Sequence, residues 1–347
     1  MKMKKNKSSA VVSLFFLAAL IFSSSLFAQA INKVGTAGAT FLRIPVGAQA
    51  IGMGSAFVSM KNDPSSLYWN PSAISSVQKT TVLVDHTLWL PGIYFDFVGL
   101  TLPLADIGTA GLSVGIMHTN DMEITTPDQP MGTGETFSAS SFVFGVSYAR
   151  YLTENFSIGG TFKYIRETIY NDYASAIGFD VGTLFQTPFA GIRLGASISN
   201  FGSKIQMTGE DLYIPAVISN QQGTNQSITA KLNTDAFELP LIMRIGISDE
   251  IIKSEDFRLT LAMDGVSPND NAQSVNVGGE LGFLNDKFQL RGGYKDLFLP
   301  NNEANFTFGL SLHEINLLGD VFVTVDYAYQ NFVHLGNSSR FTLQIKL

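Results

Sequence analysis

The sequence of 347 residues contains no cysteine. This absence excludes disulfide bonds, and it excludes anchoring through a lipidated cysteine. Charge is scarce as well: Asp, Glu, Lys and Arg make up 15% of the chain, whereas soluble globular proteins carry about 25%. The net charge of −7 argues against nucleic acid as a partner, since binding it needs a basic surface.

The first thirty residues have the pattern of a Sec-type signal peptide. A positively charged start is followed by an apolar core at 11–22 and by the small-residue cleavage motif Ala-Gln-Ala at 28–30. The alternative is an uncleaved membrane anchor, which the short apolar core disfavours. We therefore expect 1–30 to be removed on export and the mature chain to start near Ile31.

After the signal peptide, no apolar run approaches the roughly 20 residues that a membrane-spanning helix needs. The chain is nevertheless 45% hydrophobic, and it contains 32 glycines and 27 phenylalanines. Low charge, abundant glycine and aromatic residues, and the lack of long apolar runs are together typical of a transmembrane β-barrel. A soluble all-β sandwich is the alternative, but it would normally expose more charge.

Apolar and polar residues alternate along segments of about ten residues, as expected for strands with one lipid face and one lumen face. In the last segment Phe341, Leu343 and Ile345 share one side, and Thr342 and Gln344 the other. Such segments begin near residues 81, 94, 109, 139, 156, 174, 192, 238, 256, 272, 287, 306, 321 and 341. The pattern predicts an all-β fold, a transmembrane antiparallel β-barrel of about 14 strands over residues 81–347, with the even number that bacterial barrels require.

The lengths of the connections agree with this topology. Outer-membrane barrels have short periplasmic turns and longer outer loops. If both termini are periplasmic, the outer loops follow the odd-numbered strands. The two longest connections, about 120–138 and 201–237, follow the third and seventh predicted strands, so both fall on the outside.

Charged residues recur on the inward side of the predicted strands. Charges that face hydrocarbon are unfavourable, so we expect the following residues in the lumen: Asp180, Arg193, Arg244, Arg258, Asp264, Glu280, Arg291, Lys295 and Asp326. Asp180 is expected near Arg193. Glu280 is expected between Arg258 and Arg291. We interpret the set as a structural network of ion pairs; the alternative, a selectivity ring or substrate path, would be better served by charges of one sign.

The sequence carries no enzyme motif. The four histidines, His86, His118, His313 and His334, lack the spacing of metal ligands. The Gly-Met-Gly run at 52–54 lacks the third glycine and the lysine of phosphate-binding loops. We therefore predict a non-enzymatic protein without a cofactor or metal.

Residues 31–80 differ in character from the strands that follow. Asp63 and Pro64 have the residue types of an N-cap and a first helical position, and they predict one turn through Trp69. Pro71 ends that turn, pushes Asn70 out of the helical region and can start a second turn. We expect a compact hatch inside the barrel, defined by Gly52, Met53, Gly54, Asp63, Trp69, Asn70 and Pro71.

The stretch at 41–75, FLRIPVGAQAIGMGSAFVSMKNDPSSLYWNPSAIS, resembles the N-terminal signature of the PorV/PorQ family, which is itself similar to the FadL-type outer-membrane transporters. The matching residues are Gly47, Ala48, Gly52, Met53, Gly54, Ala56, Phe57, Val58, Asp63, Tyr68, Trp69, Asn70 and Pro71. Gln49 departs from the pattern, because the family usually has an arginine there.

The resemblance implies a barrel in the bacterial outer membrane with an N-terminal hatch in its lumen. For PorV-like and PorQ-like members it implies a part in type IX secretion or in cell-surface attachment of exported proteins. Envelope or secretion-system proteins would then be partners, besides outer-membrane lipid. The FadL-like alternative is passage of a hydrophobic small molecule, and a purely structural role is a third reading. The polar stretch SNQQGTNQSITAKLNTD in the loop at 201–237 favours protein partners.

Overall fold

The computed structural model describes residues 34–188, 191–216, 227–254, 256–300 and 302–347. The predicted signal peptide, 1–30, lies outside the described residues, and so does part of the polar loop, 217–226. Within these described ranges, no helix has the length and hydropathy needed to cross a membrane.

The described residues include fourteen strands of ten residues or more. They are β1 Thr81–Leu90, β2 Ile93–Pro103, β3 Thr109–Thr119, β4 Ala139–Thr153, β5 Phe156–Ile169, β6 Asp172–Gln186, β7 Arg193–Gly202, β8 Ile242–Lys253, β9 Phe257–Pro268, β10 Ser274–Phe283, β11 Phe288–Leu297, β12 Ala304–Leu318, β13 Val321–Phe332 and β14 Gly336–Lys346. Each is long enough to cross the hydrocarbon core, which takes about 9–11 residues of tilted strand.

The sheet formed by these strands closes on itself. Each strand pairs antiparallel with the next, and β1 also pairs with β14, with Thr81 opposite Lys346. Closure gives every spanning strand two partners, as backbone groups in a membrane need. The predicted transmembrane antiparallel barrel of about 14 strands is confirmed.

The burial pattern is inverted relative to a soluble protein. On β12 the outward Phe306 and Phe308 are 71% and 47% exposed, whereas on β14 the inward Thr342 and Gln344 are buried. Inward positions are buried because they pack against one another and against the N-terminal part of the chain, which they also hydrogen-bond. Outward positions form an apolar surface suited to lipid.

The two long connections lie at one end of the barrel, which we call the loop end; Thr81 and Lys346 mark the other, the terminal end. The connection after β3 contains the paired strands Met122–Glu123 and Thr136–Phe137. The connection after β7 contains Ile205–Gln206 paired with Ala236–Phe237, Thr208–Gly209 paired with β6, and Tyr213–Ala216 paired with Ile228–Lys231. A 3₁₀ turn, Ala105–Ile107, lies in the short connection after β2, at the terminal end.

The N-terminal segment, residues 34–80, contains short helical turns. They are a 3₁₀ turn at Thr40–Arg43, α1 at Ala48–Gly52, α2 at Ser66–Trp69 and a 3₁₀ turn at Pro71–Ser76. The second helix begins at Ser66 rather than at Pro64, because the Asp63 carboxylate accepts a hydrogen bond from the Ser65 N–H and forms a tight turn before the helix. Most of residues 37–77 are buried.

Candidate functional site: the barrel lumen and the N-terminal segment

Inward-facing side chains of the barrel bind the backbone of the N-terminal segment. The Asp264 carboxylate on β9 accepts hydrogen bonds from the N–H groups of Phe57 and Val58, at 2.7 and 2.8 Å. The Thr342 hydroxyl on β14 accepts one from the Ala48 N–H at 2.8 Å. These bonds satisfy donors in turns too short to satisfy them internally.

Side chains of the segment also bind the barrel wall. Gln49 donates to the Glu280 carboxylate at 2.9 Å, and the Asp63 carboxylate accepts from the Gln344 amide at 2.9 Å. Gln49 is the position where the family signature usually has arginine, and here a neutral amide donates to Glu280. Burial raises the pKa of Asp63, and the hydrogen bonds from Ser65 and Gln344 oppose that rise.

The Asn70 side chain hydrogen-bonds both to another part of the N-terminal segment and to the barrel wall. Its amide donates to the carbonyls of Val58, at 2.7 Å, and of Thr183 on β6, at 3.0 Å. Its side-chain oxygen caps the following 3₁₀ turn by accepting from the Ser72 N–H and hydroxyl. The extended backbone of Asn70, φ −158° and ψ 101°, follows from the proline after it.

Trp69 is the largest fully buried side chain of the described residues. Its indole N–H donates to the Val46 carbonyl at 2.8 Å, and its ring contacts Phe57 and Tyr68. The Arg244 guanidinium on β8 lies over the Trp69 ring, 5.2 Å from the centroid. This arginine, expected in the ion-pair network, thus binds the aromatic pair of the segment through a cation–π contact.

Glycines of the wall allow the segment's backbone to approach closely. Gly278 on β10 and Gly293 on β11 face Met53 and Gly54, and a side chain on either glycine would collide with that backbone. Gly54 itself has a φ of 65°, which favours glycine. The Gly-Met-Gly motif therefore marks a place where two backbones touch.

The buried charges of the wall form short ion pairs. Arg291 bonds Glu280 and Asp326, both at 2.6 Å, and Arg258 reaches the other oxygen of Glu280 at 2.7 Å. Glu280 thus lies between the two arginines. Arg258 also bonds Asp286, whose position in a turn gave no sign of this role in the sequence.

The expected proximity of Asp180 and Arg193 is wrong. Asp180 pairs with Lys163 on β5 at 2.6 Å, and Arg193 pairs with Glu250 on β8 at 3.0 Å. The strands β6 and β7 are neighbours, but Arg193 lies opposite Gln186 in their register, six residues from Asp180. Lys163 was missed because its partner depends on register, which alternation alone does not fix.

Two cavities flank the segment. One, of about 470 Å³, lies at the terminal end and has a polar lining that includes Lys61, Arg193 and Glu314. The other, of about 650 Å³, lies at the loop end, where Phe41, Trp89, Met117, Phe332 and Arg43 line it. The segment lies between them.

Metal-binding geometry is absent from the described ranges, in which no cluster of three or more His, Asp or Glu side chains could hold an ion. His313 lies near Glu314 and His334 binds Glu303. His86 and His118 lie together on the outer face of β1–β3.

Solved structures with a similar fold include a FadL homologue and two toluene transporters. The Pseudomonas aeruginosa FadL homologue is 11% identical, with a TM-score of 0.52, over 86% of this chain and 97% of that chain. The Ralstonia pickettii toluene transporter TbuX is 13% identical (TM-score 0.51; 86% and 97%), and the Pseudomonas putida toluene transporter TodX is 12% identical (TM-score 0.51; 86% and 96%). At such identities the likeness shows the fold alone.

Sequence comparison assigns the family. No curated protein matches this chain in sequence. The family model described as "Type IX secretion system protein PorV" matches residues 27–233, more than half of the chain, which include the N-terminal segment and the first seven strands. The chain is therefore an outer-membrane β-barrel that belongs to the PorV family of type IX secretion system proteins.

Proposed function

We propose that the protein acts, without enzymatic activity, in type IX secretion or in the cell-surface attachment of exported proteins. The observation that carries this proposal is that inward-facing side chains of the wall, those of Asp264 and Thr342, bind the backbone of the chain's own N-terminal segment. A lumen filled in this way leaves no path for a protein. The barrel therefore receives exported proteins or other secretion-system proteins at its surfaces, and it does not conduct them.

Within this proposal, residues 31–80 form a hatch that closes the barrel. The support is the number of independent attachments: the carboxylate of Asp264, the amide of Asn70, and the close backbone contact of Gly293 with Gly54. Each attachment joins the segment to a different part of the wall. Such a plug separates the polar cavity at the terminal end from the cavity at the loop end.

The proposal includes export by a cleaved signal peptide. The charged start, apolar core and Ala-Gln-Ala motif at 28–30 support it. Mass spectrometry of the protein purified from outer membranes tests it directly. We expect an N-terminus near Ile31; an intact Met1 would contradict cleavage.

A deletion strain tests the secretion role. Loss of the protein is expected to leave exported cargo in the periplasm, and expression of the full chain should restore its appearance at the cell surface. Envelope proteins of the secretion system should copurify with the tagged chain. Normal secretion in the deletion strain, with no secretion-system protein copurifying, would refute the proposal.

A second candidate is transport of a hydrophobic small molecule. The cavity at the loop end supports it, because Phe41, Trp89, Met117 and Phe332 form an apolar part of its lining. The related fold of two toluene transporters makes toluene the first probe. Uptake of labelled toluene that requires this protein and fails in a Trp89→Asp variant would favour transport; equal uptake with and without the protein would exclude toluene as the substrate.

A further inference from the structure

Three ionisable side chains lie together on the outer, lipid-facing surface of the barrel. Phe95 and Phe97 of β2 are buried inside, so Asp96 between them points outward. His86 on β1 and His118 on β3 flank it, and the side chains of all three are 42–46% exposed. We call His86, Tyr94, Asp96 and His118 the His–Asp patch.

The patch lies within the apolar wall. β1 has ten residues, close to the minimum that spans a bilayer, and His86 lies midway along its outward row, with Val84 and Leu88 on either side. On β2 the next outward residue after Asp96 is Val98, which is 45% exposed. Ionisable side chains at such positions are rare and usually have a function.

The hydrogen bonds within the His–Asp patch are incomplete. Asp96 accepts a hydrogen bond from Nδ1 of His86 at 2.6 Å, whereas its second oxygen lies 3.8 Å from Nδ1 of His118, too far for a hydrogen bond. Tyr94 stacks between the two imidazoles, at centroid distances of 6.3 and 5.4 Å. The second carboxylate oxygen of Asp96 can thus still accept a hydrogen bond, and Nδ1 of His118, beside it, can still donate one.

We propose that the His–Asp patch is the contact between two copies of this chain in the membrane. Because the patch offers one acceptor and one donor, it is complementary to itself, as a two-fold interface requires. A two-fold axis along the membrane normal, between β2 and β3, places Asp96 against the partner's His118, and the same contact forms a second time by symmetry. In the dimer, the carboxylate of each Asp96 then gains a second hydrogen-bond donor, which it lacks in a single chain.

Because the chain has no cysteine, a single introduced cysteine is its only thiol, and disulfide cross-linking reports on that position alone. Val98→Cys puts one thiol beside the patch, and Ile245→Cys on β8, with a similar exposure of 47% for the native residue, puts one on a distant part of the wall. The full mature chain is reconstituted in phosphatidylethanolamine/phosphatidylglycerol vesicles and oxidised with copper-phenanthroline. We expect V98C to form disulfide dimers about tenfold faster than I245C. Adding D96N to V98C should slow dimer formation about tenfold, to the rate of I245C, because the charge-assisted hydrogen bond is lost.

Folding of each variant is checked by heat-modifiable gel mobility. Equal rates for V98C and I245C would overturn the proposal, and so would a V98C rate that D96N leaves unchanged. Cross-linking of V98C in native outer membranes to a different protein, but never to itself, would also overturn it. The readout is independent of secretion, so either proposal can fail without the other.

Discussion

The carboxylate of Asp264 on the barrel wall accepts the backbone N–H of Val58 at 2.8 Å, and the same oxygen accepts the N–H of Phe57 at 2.7 Å. Asp264 is fully buried, and a buried charge without partners is strongly unfavourable. The wall therefore depends on the N-terminal segment as much as the segment depends on the wall. This mutual dependence is the physical basis of the proposed hatch.

Asp264→Ala should weaken both the fold and the closure. The variant leaves two buried N–H groups without an acceptor, so we expect the free energy of unfolding in urea to fall by about 3 kcal/mol. Conductance in planar bilayers should rise above that of the native protein. Asp106→Ala, in the exposed turn between β2 and β3, is the control and should change neither quantity. An effect no larger than that of the control would contradict the role of Asp264.

Asn70→Asp changes almost no volume but removes both donors to the carbonyls of Val58 and Thr183. The new carboxylate oxygen would face those two carbonyl oxygens, while the cap on Ser72 would remain. We expect a loss of about 2 kcal/mol or more in unfolding free energy and a leakier barrel. Asn62→Asp is the same chemical change at an exposed position of the segment. Equal behaviour of the two variants would show that the amide of Asn70 is not needed.

Neighbouring glycines on β11 offer the sharpest comparison. A Cβ on Gly293 would collide with the backbone of Met53 and Gly54, whereas a Cβ on Gly292 would meet open space. Gly293→Ala should therefore displace the segment, lower the unfolding free energy by about 1–3 kcal/mol and raise conductance. Gly292→Ala should do none of these. If the two variants conduct alike, the segment does not close the lumen at this contact.

Arg291→Leu tests the buried ion pairs. The change leaves Glu280 and Asp326 facing each other without the guanidinium that bonds both, and we expect a loss of about 3–5 kcal/mol in unfolding free energy. Arg150→Leu, at an exposed position of β4, serves for comparison. Restoration of stability in the triple variant with Glu280→Gln and Asp326→Asn would support the electrostatic cause. A loss that this neutralisation does not reduce would instead indicate packing.

Much of the barrel could be predicted from sequence, because the membrane imposes a simple rule on each strand. Alternation with a period of two predicts which face Phe341 or Thr342 takes, and an even strand count follows from closure. The start of the eighth strand differs from its prediction: the apolar pattern begins near 238, but Pro240 delays the strand to Ile242, since proline cannot donate to the ladder.

Contacts between distant parts of the chain were less predictable. The pairing of Asp180 with Lys163 and not with Arg193 depends on register between strands, and the role of Asp264 depends on the path of Phe57 and Val58 through the lumen. Neither the register between strands nor the path of the N-terminal segment leaves a periodic pattern in the sequence. The patch formed by His86, Asp96 and His118 was missed because each histidine was assessed by its spacing in sequence, whereas three adjacent strands bring the side chains together.

The central claim is that the lumen is closed by the chain's own hatch and that exported proteins do not pass through it. Cysteines at Ala48 and Thr342, whose backbone N–H and hydroxyl are 2.8 Å apart, can lock the segment to β14 by a disulfide in this otherwise cysteine-free chain. Formation of the lock is verified by gel mobility with and without reductant. The account predicts that cells with the locked protein display exported cargo as well as cells with the native chain do. Secretion that fails with the lock and returns on reduction would contradict it, because cargo release would then require the hatch to move.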